Sequence, residues 1–296
     1  MQEALVLFQK EDFGIRNSTK NIRFAKMHGL GNDFVIIDSR KILIDLKPDL
    51  VKALANRNFG IGFDQIAVIF QGGPNKTTAH LKFWNSDGSP SATCGNATRC
   101  IAKMLMEETN TNYIKLSTDH KILHCKKSKN GTISVNMGMP DVGWAEIPLA
   151  YECDPLHLPI DGEPVATNFG NPHCTFFVKN ISKFNIAEFG RIYETHALFP
   201  EKTNVQLAEI IDEGSIKIKV WERGTGVTMA SGSSSCAVAV AAIRRGLSGK
   251  ENRILLDGGE LKVYWGNDGV WLSGETAHIY DGVISEEFLF NWKDCY

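Results

Sequence analysis

No Cys-x-x-Cys pair and no His-Glu-x-x-His occurs anywhere in the 296 residues. Their absence argues against a structural zinc ribbon, a dithiol redox motif and a zincin helix. The seven cysteines, Cys94, Cys100, Cys125, Cys153, Cys174, Cys236 and Cys295, are odd in number and scattered. That spacing argues against a disulfide framework and fits free thiols in a reducing compartment. An excess of one charge is missing too. With 32 basic and 34 acidic residues the net charge is -2, which gives no footprint for nucleic acid and no polybasic membrane patch. No run is long and apolar enough to span a bilayer, and the first residues, MQEALVLFQKEDFGIRN, hold no signal-type apolar core. A soluble cytoplasmic protein is expected. No metal, nucleotide or pyridoxal motif is visible, and Lys26 and Lys82 have no setting for a Schiff base. No cofactor is expected.

What is present is a hydrophobic content of 43%, enough for two domains with a core each. The most distinctive stretch is residues 83–104, FWNSDGSPSATCGNATRCIAKM. It runs from a strand through the polar turn Asn85-Ser86-Asp87-Gly88-Ser89-Pro90 into a helix whose first turns carry Cys94-Gly95-Asn96 and Arg99-Cys100. Backbone N–H groups and the positive dipole end at a helix N-terminus favour a thiolate there, and the same N–H groups can hold a carboxylate. A buried cysteine in a small-residue packing seam is the other reading of this stretch.

Alternation and turn residues predict strands at 22–27, 34–38, 66–70 and 79–84, a helix over 48–57 with Pro48 near its start, and a helix from Cys94 to about Glu108. Short strands follow at 113–118, 121–126 and 132–137. Met139-Pro140-Asp141-Val142-Gly143 reads as a boundary. The second half repeats the plan. Strands are predicted at 165–169, 174–178, 204–209 and 215–221, with a helix over 184–191 and a turn at 222–226. Ser231-Gly232-Ser233-Ser234-Ser235-Cys236 opens a helix through Arg245, and strands at 253–256, 261–265, 270–272 and 278–285 close the chain. Because the two helix starts are alike, the expected fold is α+β: two pseudo-symmetric domains, each a strongly bent, mainly antiparallel sheet around a central helix, with the active site in the cleft between them. The expected division is 1–136 plus 275–296, with residues 1–21 as an extension, against 137–274.

The motifs resemble those of the diaminopimelate epimerases, a family of cofactor-independent amino-acid epimerases. Met27-His28-Gly29-Leu30-Gly31-Asn32-Asp33-Phe34 is similar to the family's N-terminal signature, and Gly60-Ile61-Gly62-Phe63-Asp64-Gln65 to its second glycine-rich turn. Asn85-Ser86-Asp87-Gly88-Ser89 followed by Cys94-Gly95-Asn96 resembles its first catalytic segment. Gly170-Asn171-Pro172-His173-Cys174, Asn204-Val205, Glu222-Arg223-Gly224 and the stretch 274–282 also match. The likeness runs from about residue 22 to 283.

It implies a reaction that interconverts LL- and meso-diaminopimelate by inverting one α-carbon, in lysine and peptidoglycan precursor synthesis. One thiolate removes the α-proton and a second thiol returns a proton from the other face. Without an electron-sink cofactor, the developing carbanion must be stabilised electrostatically. Cys94 takes the first thiol position. Gly95, Asn96, Gly232 and Ser233 would supply the carboxylate cage. Asn32, Asn85, Asn171, Asn204 and Arg223 are similar to substrate-holding residues, Arg223 pairing with the distal carboxylate. Gln65, His173 and Glu222 would line the site. The likeness also implies a homodimer, with Tyr280 near its interface, and domain closure on the ligand.

One departure stands out. The second thiol position holds Ser231, and Cys236, five residues on along the helix, points elsewhere. A serine hydroxyl is no useful base near pH 7. Three readings follow: a Cys→Ser variant of a normal epimerase, a natural one-base form that exchanges the α-proton but inverts poorly, and a related racemase or an amino-acid binding protein. Pro90, Ala97, Thr98 and Val227 are smaller departures.

Overall fold

The computed structural model describes residues 15, 16, 21–41, 43, 44, 46–73, 76–91 and 94–292. Most of the expected N-terminal extension, together with Cys295, lies outside the described residues. Within it, β1 (Ile15–Arg16) pairs antiparallel with β4 (Leu43–Ile44). The chain forms two compact units, one running to Lys126 and resumed from Thr276, the other Lys127–Glu275.

The first unit is a sheet in the order β19 (Ala277–Ile284), β2 (Ile22–Gly29), β3 (Asn32–Asp38), β5 (Gln65–Gln71) and β6 (Ala79–Asn85). It continues through β7 (Pro90–Ser91) and β8 (Tyr113–Ser117), both on β6, to β9 (Ile122–Lys127). Two pairings are parallel, β3 with β5 and β6 with β8. Parallel neighbours need a crossover. Helix α1 (Pro48–Ala55) supplies the first and α2 (Gly95–Thr109) the second. Pro48 suits α1's first turn because its missing N–H would have no partner there. The helix ends at Asn56, whose Oδ1 accepts from the N–H groups of Asn58 and Phe59, both at 2.9 Å. The predicted helix over 48–57 is therefore two residues too long. Val35 and Ile37 of β3 join Leu50, Val51 and Leu54 of α1 in one core. Phe34 and Ile36 are also buried and alternate to the opposite face, where α2 packs against β2, β3 and β8. A strand covered on both faces reads as an unbroken apolar run, as Phe34-Val35-Ile36-Ile37 does. A short helix, α5 (Glu286–Asn291), follows β19 and was not foreseen.

The second unit repeats these pairings. β11 (Val165–Asn168) pairs antiparallel with β12 (Pro172–Phe177), and β12 parallel with β13 (Asn204–Asp212). β13 pairs antiparallel with β14 (Ser215–Glu222), which carries β15 (Gly226–Thr228) and, parallel, β16 (Glu251–Leu256). β17 (Gly259–Gly266), β18 (Gly269–Gly274) and β10 (Ile133–Asn136) complete the order. Strand β10, which the sequence reading grouped with the first half, bonds along its whole length to Trp271–Gly274. Helix α3 (Ile186–Glu194) bridges the first parallel pair and α4 (Gly232–Arg244) the second. The α+β class and the repeated plan thus hold from β2 to β9 and from β11 to β17, while β19 is added beside β2 in the first unit and β18 and β10 beyond β17 in the second. Two local readings change. Pro172 and His173 begin β12 and do not end a turn, and residues 226–228 pair with β14.

Helix α4 packs against seven strands of its own sheet, β11 to β14 and β16 to β18. Its residues Ser234–Ala242 are all fully buried. A helix apolar on every side is a core element, and Cys236-Ala237-Val238-Ala239-Val240-Ala241-Ala242 is small enough for the sheet to wrap closely. Replacing Ala239 by Leu is expected to destabilise the protein by about 1–3 kcal/mol through overpacking, measured as a lower midpoint in urea unfolding.

Candidate active site

Both central helices start in the same way. Cys94 caps α2 with φ -137° and ψ 106°, and Ser231 caps α4 with φ -139° and ψ 120°. The two positions are therefore conformationally equivalent, each in extended backbone directly before a helix. The N–H groups of the first turn have no acceptor within a helix. Those of Gly95 and Asn96, and of Gly232 and Ser233, accordingly lie at positive helix ends suited to an anion.

The two side chains behave differently. Cys94 Sγ accepts the Ala97 N–H at 3.4 Å, a contact that strengthens when the sulfur is negative. Thr98 steadies the cap by donating its hydroxyl to the Cys94 carbonyl at 2.7 Å. Ser231 makes no side-chain cap, although serine is among the best capping residues. Its hydroxyl donates to Glu222 Oε2 at 3.0 Å, while Thr228 donates to Oε1 of the same carboxylate at 2.7 Å. The side chain of residue 231 is thus held on Glu222 by a hydrogen bond. Burial pushes the Cys100 and Cys125 thiols up to about 12 and raises that of Cys174, which makes these three poor nucleophiles.

In the first unit Asn32, Asn96, Gln65 and Asn85 form two linked pairs. Arg99, fully buried, donates to Asn96 Oδ1 at 2.8 Å. Asn96 Nδ2 donates to Asn32 Oδ1 at 3.1 Å, and Asn32 Nδ2 to Asp64 Oδ2 at 2.9 Å. A guanidinium can only donate and a carboxylate can only accept, so both amides have a single orientation. Gly29 lets β2 come close to this chain. A Cβ there would meet Arg99 at 3.2 Å and Asn96 at 3.3 Å. Gln65 and Asn85 face each other across β5 and β6, Gln65 Nε2 donating to Asn85 Oδ1 at 2.8 Å. Asn85 Nδ2 donates in turn to Ser89 Oγ at 3.0 Å.

The glycine-rich turn at 60–64 is fastened to the β2–β3 hairpin by charge. Lys26 Nζ lies 2.6 Å from Asp33 Oδ2 and also donates to the Gly62 carbonyl. Arg57 donates to Asp33 at 2.8 Å and to Asp64 at 2.9 Å. Asp33 and Asp64 exchange bonds, each carboxylate accepting the other's backbone N–H. Gly62 has φ +75°, a backbone that L side chains rarely adopt.

In the second unit Asn171 and His173 are bonded, His173 Nε2 standing 2.9 Å from Asn171 Oδ1. Asn204 holds two segments together. Its Nδ2 donates to the Pro172 carbonyl at 2.8 Å and its Oδ1 accepts the Arg223 N–H at 3.0 Å. Arg223 rests one guanidinium nitrogen on the Glu201 carbonyl at 2.9 Å. Glu194, which the sequence reading passed over, fixes the Glu222–Arg223 turn from both sides. It accepts from Trp221 Nε1 at 2.7 Å and from the Gly224 N–H at 3.0 Å. Gln206, Asp64 and Arg57 were also passed over. Gln206 was detectable, since Asn204 and Gln206 alternate with Val205 and Leu207, and a strand with polar groups at every second position needs partners for them if that face is covered.

The same fold occurs in a phenazine biosynthesis protein of the PhzF family from Bacillus anthracis, with a TM-score of 0.64 at 16% identity over 90% of this chain and 99% of that one. It occurs again in a hydroxyproline epimerase from Agrobacterium vitis, with a TM-score of 0.62 at 10% identity over 91% of this chain and 94% of that one. The fold is thus one that epimerases use. At closer range, the diaminopimelate epimerase family profile matches residues 24–142 and 165–279. The diaminopimelate epimerase of Rhodospirillum centenum is 39% identical over 272 residues, covering 90% of this chain and 94% of the relative. That of the Wolbachia of Drosophila simulans is 43% identical over 262 residues, covering 86% and 97%. The chain belongs to the diaminopimelate epimerase family, a family of isomerases. Among the described residues no helix is long and apolar enough to cross a membrane.

The Asp33 cluster gives a pH dependence. Burial alone would raise Asp33, but hydrogen bonds from Arg57 and Lys26 outweigh it and hold the carboxyl at about 2, against an ordinary 3.8. A depressed acid stabilises the folded state fully above the ordinary value and loses that contribution as the pH falls toward the lower one. The thermal midpoint should therefore drop between about pH 4 and pH 2 more steeply in this protein than in Asp33→Asn, as followed by circular dichroism.

Proposed function

We propose that this chain binds diaminopimelate and removes its α-proton with Cys94, Ser231 standing where a second acid–base group would return a proton. The observation that carries the reading is the matched pair of helix starts, one capped by a cysteine and one by a serine in the same backbone conformation. Inversion requires a proton to leave one face of the α-carbon and another to arrive at the opposite face. The thiolate of Cys94 can take the first. The anionic α-carboxylate would be held by first-turn N–H groups of Gly95 and Asn96 and of Gly232 and Ser233, which also stabilise the carbanion as charge moves toward that carboxylate. Asn32, Asn85, Asn171, Asn204 and Arg223 hold the rest of the substrate, with Gln65, His173 and Glu222 lining the site. No electron-sink cofactor is assigned to the reaction, and the protein works in the cytoplasm.

At residue 231 the hydroxyl is too weak an acid to serve as a base at neutral pH. A thiol in its place would donate to the same Glu222 carboxylate, which could accept its proton. Ser231 therefore leaves a one-base site. The same reading carries a homodimer. Ile279, Tyr280 and Val283 of β19 are exposed apolar side chains that such an interface would cover.

The test gives LL- and meso-diaminopimelate separately to this protein, to Ser231→Cys and to Cys94→Ala in D₂O, following stereoinversion and α-deuterium uptake. Ser231→Cys is expected to invert both isomers. The present chain should invert at least about 10²-fold more slowly and take up deuterium from one isomer only. Cys94→Ala should do neither. If no form exchanges or inverts either isomer, the reading is wrong. Sedimentation of the protein tests the dimer, for which a single monomeric species would be the contrary result.

A further inference from the structure

A buried polar chain behind Asn171 belongs to none of the roles given above. Thr175, Gln206, His173 and Ser234 are all fully buried, whereas Asn171 at the end of the chain is half-buried. Thr175 donates its hydroxyl to Gln206 Oε1 at 3.2 Å. Gln206 Nε2 faces Ser234 Oγ at 3.0 Å and His173 Nδ1 at 3.1 Å. With the Gln206 amide nitrogen on this side, it can only donate, and His173 Nδ1 accepts in this arrangement. Burial, with the Arg223 charge nearby, pushes the ring down to about 3, so it is neutral and carries a single proton. That proton is on Nε2, which reaches Asn171 Oδ1 at 2.9 Å. One lone pair of the Asn171 oxygen is thereby used, and its Nδ2 has no partner among the described residues.

We infer that Gln206 is a positioning residue: it fixes the tautomer of His173, and through that ring it turns the Asn171 carboxamide so that its N–H groups face the ligand. Asn171 then turns its N–H groups toward the ligand, where they can meet an oxygen of the substrate. Gln206 itself touches no substrate. Its effect on Ser234, in the first turn of α4, ties the same carboxamide to the start of the helix that follows Ser231. The inference rests on the diaminopimelate reading only where Asn171 meets the ligand. The ring chemistry stands apart from it.

The test is a long-range ¹H–¹⁵N correlation of histidine-labelled protein, with the eight histidine rings assigned through the bonds, beside diaminopimelate affinity by calorimetry. In the present chain His173 should be neutral with its proton on Nε2 from about pH 5 to pH 8. In Gln206→Met, which keeps the length and cannot donate, the Nδ1-protonated form should appear and affinity should fall about tenfold. The ring tautomer of the unaltered chain decides the matter should Gln206→Met fail to fold. A proton on Nδ1 in the unaltered chain, an unaltered tautomer in Gln206→Met, or an altered ring with unchanged affinity in Gln206→Met would each overturn the inference. If the unaltered chain binds neither diaminopimelate isomer, the functional reading fails on its own and the ring spectra still decide the role of Gln206.

Discussion

The candidate site depends on one constraint of the α-helix: its first N–H groups find no acceptor inside the helix. A protein that must stabilise negative charge without a metal or an organic electron sink can use those groups. In the proposed reading each unit of this chain uses the start of its central helix that way. Enclosing the helix body in a bent sheet keeps it fixed, and the residue just before it is held in extended backbone where its side chain can act. The need for enclosure explains the run of alanine and valine in α4, and the need for a fixed start explains the caps on the cysteine carbonyl by Thr98 and on the serine carbonyl by Ser235.

Around the helix starts, hydrogen bonds of fixed direction do the orienting. Carboxamides can present either end, and an asparagine that flips offers the wrong group to a ligand. In the first unit the ambiguity is removed by charge, with a guanidinium at one end of the Asn96–Asn32 chain and a carboxylate at the other. In the second unit no charge is built into the chain. The ambiguity is removed by a neutral imidazole whose bare nitrogen is met by an amide. The same requirement thus has an ionic solution in one half and an uncharged, fully buried solution in the other.

Most of the plan was legible in the sequence because it is written in local patterns. Strand alternation, the polar turns, Pro48 and the two small-residue helix starts located the elements to within a few residues. The unforeseen parts were those that only pairing across the sheet reveals. The turn expected at 222–226 gives no sign of the short strand that leaves it, yet residues 226–228 bond to β14. Asp64 reads as one more residue of a glycine-rich turn until β3 brings Asn32 beside it. Gln206 sits in an ordinary strand, and its meaning comes from His173 on the neighbouring parallel strand. The motif residues Asn32, Gln65 and Asn85 were marked from resemblance alone, and the structure supplies their bonding partners.

The sheet order also has a consequence for how the chain is made. The second unit is continuous, Lys127–Glu275, so all its strands leave the ribosome in one run. The first unit is not. The free edge of β2 is covered by β19, with His28 paired to Ala277, partners separated by most of the polypeptide. Loop-closure entropy makes that pairing late but only modestly dearer, because the cost grows with the logarithm of the separation. Until residues 277–284 emerge, β2 presents an open, largely apolar strand edge, the kind that recruits foreign strands. The half of the molecule that carries Cys94 is therefore sealed late, and the nascent chain stays vulnerable to aggregation until β19 has emerged.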